Sequence, residues 1–219
     1  MTIYQKELLR KLPSFHCEGI FNDKSEVFAV SFDGVVFGCQ DKMGYFYGHN
    51  ISDCTDEVNE AYNLIRNQAE LIREYVGLYK ASPQMTVEDV KEYRKMSEYG
   101  DAVLAGKYNT DFGFMFCTWK QNSEKTFVTH GDYSPDYEYA KLSFAVRSGL
   151  IDKNRVFTND EASNIYRCID FTRNNNEQLN YEQEKELIAL AEKLEYGYPH
   201  IESFPPCFEQ EDCSPQLNM

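Results

Sequence analysis

The spacing of apolar and polar positions in the first third of the chain predicts a β-hairpin followed by a long helix. β-Branched and aromatic residues fill 26–32 and 35–39, and Asp33-Gly34 separates the two runs. An Asp-Gly pair in this position is the strongest short-range hairpin signal, because both turn residues need positive φ. A further short strand is predicted at 44–47. The next apolar residues recur at alternating spacings of four and three, which predicts one helix with a heptad seam; they are Val58, Tyr62, Ile65, Ala69, Ile72, Val76 and Tyr79.

The rest of the chain predicts a second helix, a strand meander and three more helices. Thr86-Val87-Glu88-Asp89 is typical of a capping box and predicts a helix over 86–99. Strand-like runs follow at 102–107, 112–119 and 126–130, separated by turn residues. Ser134-Pro135 predicts the start of a helix that ends before Gly149, and Thr158 and Asn180 predict the starts of two others.

These elements together predict an α+β fold. Two antiparallel strand clusters, the N-terminal hairpin and the central meander, are expected to pack against the long helix and a C-terminal group of three helices. We expect a single domain over 1–198, with subdomains 1–100 and 101–198 as an alternative. From Pro199 onward, prolines and acids without periodicity predict a flexible acidic tail over 199–219.

Charge narrows the classes of partner. The chain carries 36 Asp and Glu against 22 Lys and Arg, a net charge of −14. Residues 151–219 hold 14 acidic and 6 basic residues, so this stretch alone contributes −8. Such a surface disfavours direct binding of nucleic acid or anionic membrane, and it favours a basic protein partner or simple solubility. No apolar run is long enough for a membrane span, and we predict a cytoplasmic protein.

Cysteine and histidine spacing predicts neither a metal site nor a cofactor. The seven cysteines are odd in number and widely scattered, which favours reduced thiols over a disulfide framework. The closest group of potential ligands lacks the paired spacing of a zinc site; its members are His16, Cys17, Cys39, His49 and Cys54.

Acids and tyrosines alternate at the predicted entrance of the 134–148 helix. Such a stretch can contact a basic protein groove, with the rings supplying contact area, or its acids can offset the helix dipole beside half-buried rings. The candidate binding residues are Asp132, Tyr133, Asp136, Tyr137, Glu138 and Tyr139.

The same region offers an alternative, catalytic interpretation. His130 lies near a predicted junction of strand and helix, where free backbone N–H groups collect. In this alternative His130 acts as a base, Asp132 orients it, and Cys117 or Ser134 is the nucleophile. The structural alternative is that Asp132 or Ser134 caps the helix and His130 ends the strand.

Several segments also carry a likeness to a known family, in the order 32–41, 74–83, 103–106, 139–150, 165–168 and 181–185. They read FDGVVFGCQD, EYVGLYKASP, VLAG, YAKLSFAVRSGL, IYRC and YEQEK. Their order resembles a family of uncharacterised small proteins encoded on conjugative elements of Gram-positive gut bacteria. The resemblance covers roughly residues 25–198 and includes no catalytic signature. It implies an accessory role on a mobile element, with no functional residues to carry over.

The leading hypothesis is a non-catalytic accessory protein of a mobile element that binds a basic protein partner. It could act as an inhibitor or a nucleic-acid mimic, which would need carboxylates spaced like phosphates, about one charge per 1.7 Å of axis. The alternatives are a small enzyme with its site near His130, and a structural homodimer joined through the 58–79 seam. The sequence leaves both monomer and homodimer open.

Overall fold

The structure is a computed structural model that describes residues 1–49, 51, 54–176 and 178–198. Contacts divide the chain into two compact units, Met1–Ile151 and a second that begins at Asp152. The α+β class is confirmed, with two four-stranded antiparallel sheets that both lie in the first unit. The alternative boundary near residue 100 falls inside this unit, and the single domain over 1–198 stays a prediction.

The first sheet follows a short helix, α1 (Ile3–Lys11), that begins with a capping box between Thr2 and Gln5. Its strands pair in the order β1-β2-β3-β4; they are β1 (Cys17–Asn22), β2 (Val27–Phe32), β3 (Val35–Gln40) and β4 (Phe46–Gly48). The predicted hairpin is confirmed as β2–β3, and its turn residues Asp33 and Gly34 have φ of 47° and 78°. β1 was not predicted, because its run of 17–22 mixes Glu, Gly and Asn with the apolar residues.

The predicted long helix is confirmed as α2 (Asp56–Ala81). Its seam is buried inside the first unit, where Ile65, Ile72 and Val76 are fully covered. Residues of α1, of α2 and of one face of each sheet form a single hydrophobic core. This seam therefore packs within the chain, and a homodimer would have to use another surface.

The second sheet contains one strand, at Arg94–Tyr99, where the sequence predicted a helix. Its strands pair in the order β5-β6-β7-β8; they are β5 (Arg94–Tyr99), β6 (Ala102–Asn109), β7 (Gly113–Gln121) and β8 (Val128–Ser134). The predicted meander is confirmed as β6–β8. The predicted helix over 86–99 is wrong, since only a 3-10 turn forms at Glu88–Val90 before β5. The edge of β5 is bonded instead by the preceding segment, through Lys95 N–H to the Pro83 carbonyl at 2.8 Å.

α3 (Tyr137–Arg147) lies against the second sheet and completes the first unit. It begins later than predicted, because Ser134 still belongs to β8 and Asp136 is the residue that caps the helix. Gly149, with φ of 75°, follows the last turn as predicted.

The second unit contains α4 (Asn159–Asn175) and α5 (Tyr181–Gly197). The predicted helix starts at Thr158 and Asn180 are confirmed, and each helix begins with a capping box. Tyr166 of α4 donates a hydrogen bond to Glu195 of α5 at 2.6 Å. The predicted group of three helices is therefore divided, with α3 in the first unit and the other two here. Leu190 of α5 is 51% exposed.

The predicted tail over 199–219 lies outside the described residues. Among the helices that the structure describes, none combines the length and the apolar character needed to cross a membrane.

Candidate functional site

The edge strand β8 carries a bulge at the point where the catalytic alternative placed its base. Thr118 pairs with Asp132 and Lys120 pairs with Thr129, so His130 and Gly131 together lie opposite a single residue of β7. His130 has a left-handed φ of 54°, which is uncommon outside glycine. Arg147, at the end of α3, donates a hydrogen bond to the His130 carbonyl. The bulge is therefore held by the helix that packs beside it.

A cleft of about 240 Å³ opens between this bulge and the turn at Glu88–Val90. Val87, Val90 and Val128 supply aliphatic surface to the cleft. Aromatic rings and polar groups complete it; these residues are Asp89, Trp119, Phe127, Thr129, His130 and Tyr133. The cleft thus joins residues about forty positions apart in the sequence.

Trp119, the single tryptophan of the chain, lines the cleft and is only 2% exposed. Its indole Nε1–H donates a hydrogen bond to Tyr133 Oη at 3.3 Å, and the two rings meet edge to face with centroids 6.0 Å apart. A Cβ added to Gly131 would lie 2.6 Å from the Tyr133 ring and 2.9 Å from Trp119 Nε1. The backbone at Gly131 therefore approaches both rings more closely than any other residue type would allow.

The cleft is lined by an acidic residue, Asp89. Asp89 is exposed and forms no ion pair within the part of the chain that the structure describes. Its neighbours Glu88 and Lys91 pair with each other. Neither lysine nor arginine is found among the described residues that line the cleft. A cation that entered would therefore meet one unpaired carboxylate and no competing positive side chain.

The predicted acid and tyrosine stretch is divided between two faces of the second sheet. Asp132 lies on the α3 side, where it accepts a hydrogen bond from Ser143 Oγ at 2.6 Å and another from Tyr139 Oη at 3.2 Å. Ser143 Oγ is also 3.0 Å from Thr118 Oγ1, which is fully buried. Tyr133, the next residue along β8, lines the cleft instead. The contacts of Asp132 attach α3 to the sheet.

The remaining members of that stretch serve mostly the start of α3. Asp136 caps the helix by accepting from the backbone N–H of Glu138 at 2.8 Å and of Tyr139 at 3.2 Å. Tyr137 is 4% exposed and donates to Glu74 at 3.1 Å, and its burial, with the charge of Glu74, raises the pKa of its hydroxyl. Burial and the Asp132 carboxylate also raise the pKa of Tyr139. Of the six predicted residues, Tyr133, Asp136, Glu138 and Tyr139 are exposed, and Asp136 uses one carboxylate oxygen to cap the helix.

The catalytic alternative is not assembled as a triad. Cys117 is fully buried, and this burial raises the pKa of its thiol to about 12, so it carries no thiolate near neutral pH. Cys117 pairs with Tyr133 while Asp132 pairs with Thr118, and adjacent residues of a strand face opposite sides. Ser134 Oγ accepts the backbone N–H of Asp136 at 3.0 Å. His130 Nδ1 lies 3.0 Å from Thr129 Oγ1, so a histidine and a threonine that line the cleft are in contact.

Three important members of the cleft were not predicted as site residues: Asp89, Trp119 and Phe127. Asp89 was assigned to a helix that does not form. The signals available were the single tryptophan and the apolar pair Phe127-Val128 beside polar residues.

Among the described residues, no group of three or more His, Cys, Asp or Glu side chains could hold a metal ion. Among the cysteines of this part of the chain, Cys17, Cys39, Cys117 and Cys168 are free thiols. Comparison of the chain with protein-family models, curated proteins and solved structures gives no match.

Proposed function

We propose that this protein is a non-catalytic binding protein and that the cleft beside β8 receives a basic segment of a protein partner. The observation that carries the proposal is Asp89, which is exposed and has no ion pair among the described residues, in a cleft that has aromatic walls and whose described lining includes no lysine or arginine. Aromatic side chains provide contact area with little loss of conformational entropy, and the carboxylate favours a positive group.

The charge of the first unit supports the same class of partner. Residues 1–151 hold 22 acidic and 16 basic residues, a net charge of −6. This charge attracts a basic partner from a distance, and salt screens the attraction over a Debye length of about 8–10 Å. The cleft then adds the short-range contacts.

Binding to a groove accounts for the surface better than mimicry of nucleic acid does. A mimic needs rows of unpaired carboxylates. Among the described residues of the first unit, seven acids instead have a positive partner within 4 Å. The ion-paired acids are Glu7, Glu26, Glu74, Glu88, Glu92, Glu98 and Asp101.

The resemblance to proteins of conjugative elements supplies the biological setting of the proposal: an accessory or inhibitory protein that engages a basic protein of the host or of the element. A cytoplasmic location belongs to the same proposal. It is supported by the free thiols of Cys17, Cys39, Cys117 and Cys168, which suit a reducing compartment.

A small enzyme is the second candidate function. The observation in its favour is the contact of 3.0 Å between His130 Nδ1 and Thr129 Oγ1 in the cleft. A threonine hydroxyl needs an adjacent base that is itself oriented by a third group. Asp132, predicted for that third role, faces α3 and bonds Ser143.

The proposal is tested with a basic peptide and the fluorescence of Trp119. The probe is a decapeptide with four basic residues, two lysines and two arginines, separated by glycine and serine. A peptide with glutamate at the four basic positions is the control. Excitation that selects tryptophan reports the cleft alone, because Trp119 is the single tryptophan. We expect a saturable change with the basic peptide, weakened by salt, and none with the acidic one.

Two matched variants separate the cleft from general charge attraction. Asp89→Asn is expected to raise the Kd about threefold to tenfold, as for a partly desolvated ion pair. Asp111→Asn removes an exposed carboxylate from the β6–β7 turn and should leave the Kd within about twofold. Equal weakening by both variants, or no response of Trp119 at any salt concentration, would contradict the proposal. Turnover of a small molecule that Thr129→Val abolishes would favour the enzyme.

A further inference from the structure

The rings at the mouth of the cleft present flat faces to an incoming cation. Phe127 is 53% exposed and Tyr133 is 56% exposed, although both line the cleft. Tyr133 loses little on ordering, since β8 and the bond from Trp119 already fix its ring, and Phe127 lies directly before that strand. They provide stacking surface that a compact ammonium uses less well than a planar group does.

The polar groups of the cleft are mostly acceptors or can act as acceptors. Asp89, Thr129 and Tyr133 all line it, and Asp89 and Tyr133 bring a carboxylate and a hydroxyl. Tyr133 Oη already takes the Trp119 N–H, which fixes the orientation of its ring. A guanidinium carries five N–H donors in one plane and can reach several acceptors while stacking, whereas an ammonium carries three donors around a point.

The size of the cleft fits one side chain. At about 240 Å³ it lies below the range of about 300–1,000 Å³ that is common for small-molecule sites. The aliphatic walls from Val87, Val90 and Val128 suit the methylene stem of a long basic side chain. Burial of the stem against them would remove water from around the charge, which an ammonium resists more than the weakly hydrated guanidinium.

The chain itself shows the geometry that such an arrangement produces. The guanidinium carbon of Arg73 lies 3.7 Å from the centroid of the Tyr45 ring. Arg94 lies 5.2 Å from the Tyr79 ring on another part of the same unit. Arginine stacked on an exposed or half-exposed ring is therefore compatible with the surface chemistry of this protein.

From these features we infer that the cleft recognises an arginine side chain of the partner in preference to lysine. The inference rests on the proposed function, because it specifies which basic residue the same cleft selects. Phe127 and Tyr133 stack on the guanidinium, and Asp89 pairs with its charge.

The test compares two decapeptides that are identical except that one carries four arginines and the other four lysines. Their charge and length are the same, so general attraction to an acidic protein acts equally on both. Binding to the full chain is measured by Trp119 fluorescence and by calorimetry. We expect the arginine peptide to bind about tenfold more tightly, a difference of about 1.4 kcal/mol.

A pair of exposed phenylalanines supplies the matched variants. Phe127→Leu is expected to reduce the ratio between the two peptides to about threefold or less. Phe112→Leu changes the same residue type on the β6–β7 turn, where Phe112 is 84% exposed, and should leave the ratio unchanged. Neither side chain belongs to the buried core, so both variants should fold.

The outcomes separate this inference from the proposed function. Equal affinity for the two peptides, or a ratio that Phe127→Leu does not alter, would overturn the arginine preference and leave the binding of basic segments intact. The absence of any Trp119 response to either peptide would overturn both.

Discussion

Replacement of Asp132 by alanine tests whether the acid and tyrosine stretch is a binding surface or part of the fold. The structure places the carboxylate between β8 and α3, where Ser143 Oγ donates to it at 2.6 Å and Tyr139 Oη at 3.2 Å. Asp132→Ala removes both acceptors. It also leaves Ser143 and the buried Thr118 hydroxyl with only each other, at 3.0 Å.

The magnitude follows from these contacts. A hydrogen bond to a charged group contributes about 1.5–3 kcal/mol, and partial exposure lowers this range. We assign about 1.5 kcal/mol to the partly buried bond from Ser143 and about 0.5–1 kcal/mol to the exposed bond from Tyr139. Asp132→Ala should therefore lower the free energy of unfolding by about 2–2.5 kcal/mol. For a chain of this length that is a fall in Tm of about 4–10 °C.

Urea unfolding followed by Trp119 fluorescence is the assay, because this residue reports the first unit alone. Glu138→Ala is the matched control, since Glu138 is an exposed acid on the first turn of α3, and its effect should stay within about 0.5 kcal/mol. A double-mutant cycle with Ser143→Ala should show a coupling of about 1 kcal/mol. The reasoning is refuted if Asp132→Ala leaves the unfolding free energy unchanged and instead abolishes binding of the basic decapeptide.

Three further predictions concern the fold and the buried thiol. Gly34→Val should destabilise the protein by about 1–3 kcal/mol in urea unfolding, because φ at this turn is 78°. Gly77→Ala should stabilise it by about 0.5–1 kcal/mol, because the position lies in the helix α2 and has open space for the added Cβ. A stabilising effect of Gly34→Val would contradict the hairpin assignment, and a destabilising effect of Gly77→Ala would contradict the helix assignment. Mass spectrometry after iodoacetamide treatment of the native protein at pH 8 should find Cys168 labelled well before Cys117, whose pKa is raised to about 12 by burial; early labelling of Cys117 would revive it as a nucleophile. Tyr75→Phe removes the hydroxyl that donates a hydrogen bond to the buried Glu7 carboxylate of α1 at 2.9 Å. Thermal unfolding should show that the free energy of unfolding falls by about 1–3 kcal/mol, and an unchanged Tm would mean that this bond contributes nothing to stability.

Elements whose signals are local were predictable from the sequence. The α2 seam repeats over several turns, so no single misjudged residue could hide it. The Asp33-Gly34 turn requires positive φ at two positions, and few residue pairs allow that. The capping boxes at Thr158 and Asn180 each satisfy free backbone N–H groups reciprocally, and both marked true helix starts.

The segment 86–99 shows why a local signal can fail. Thr86-Val87-Glu88-Asp89 has the composition of a helix start, yet the chain forms only a 3-10 turn there. Tertiary pairing decides the outcome: β5 bonds β6 across most of its length, and the buried Met96 lies against Gly106, where a Cβ would come within 2.6 Å of its sulfur. Neither the pairing nor the fit at Gly106 can be inferred from residues 86–99 alone.

The candidate site depends on a feature with no clear sequence signature, the bulge at His130 and Gly131. If β8 continued from Thr129 without it, the register of Thr129 with Lys120 would place Asp132 opposite Cys117 rather than Thr118. Because side chains alternate along a strand, its carboxylate would then face the cleft side, and Tyr133 would face α3. The bulge exchanges those positions. The predicted strand ended at residue 130, so the sequence offered no sign that Asp132 and Tyr133 lie on opposite faces of a sheet.

The same bulge makes the attachment of α3 and the chemistry of the cleft parts of one arrangement. It directs Asp132 toward Ser143 on α3, while Arg147 at the other end of that helix bonds the His130 carbonyl. On the opposite face it brings Gly131 against the Trp119 and Tyr133 rings, so that the cleft can form. A partner that displaced Tyr133 would have to move β8, which Ser143 and Arg147 of α3 hold by hydrogen bonds. The strand that borders the cleft is therefore held by α3 before any partner binds, and the proposed partner would gain affinity there without having to order that strand.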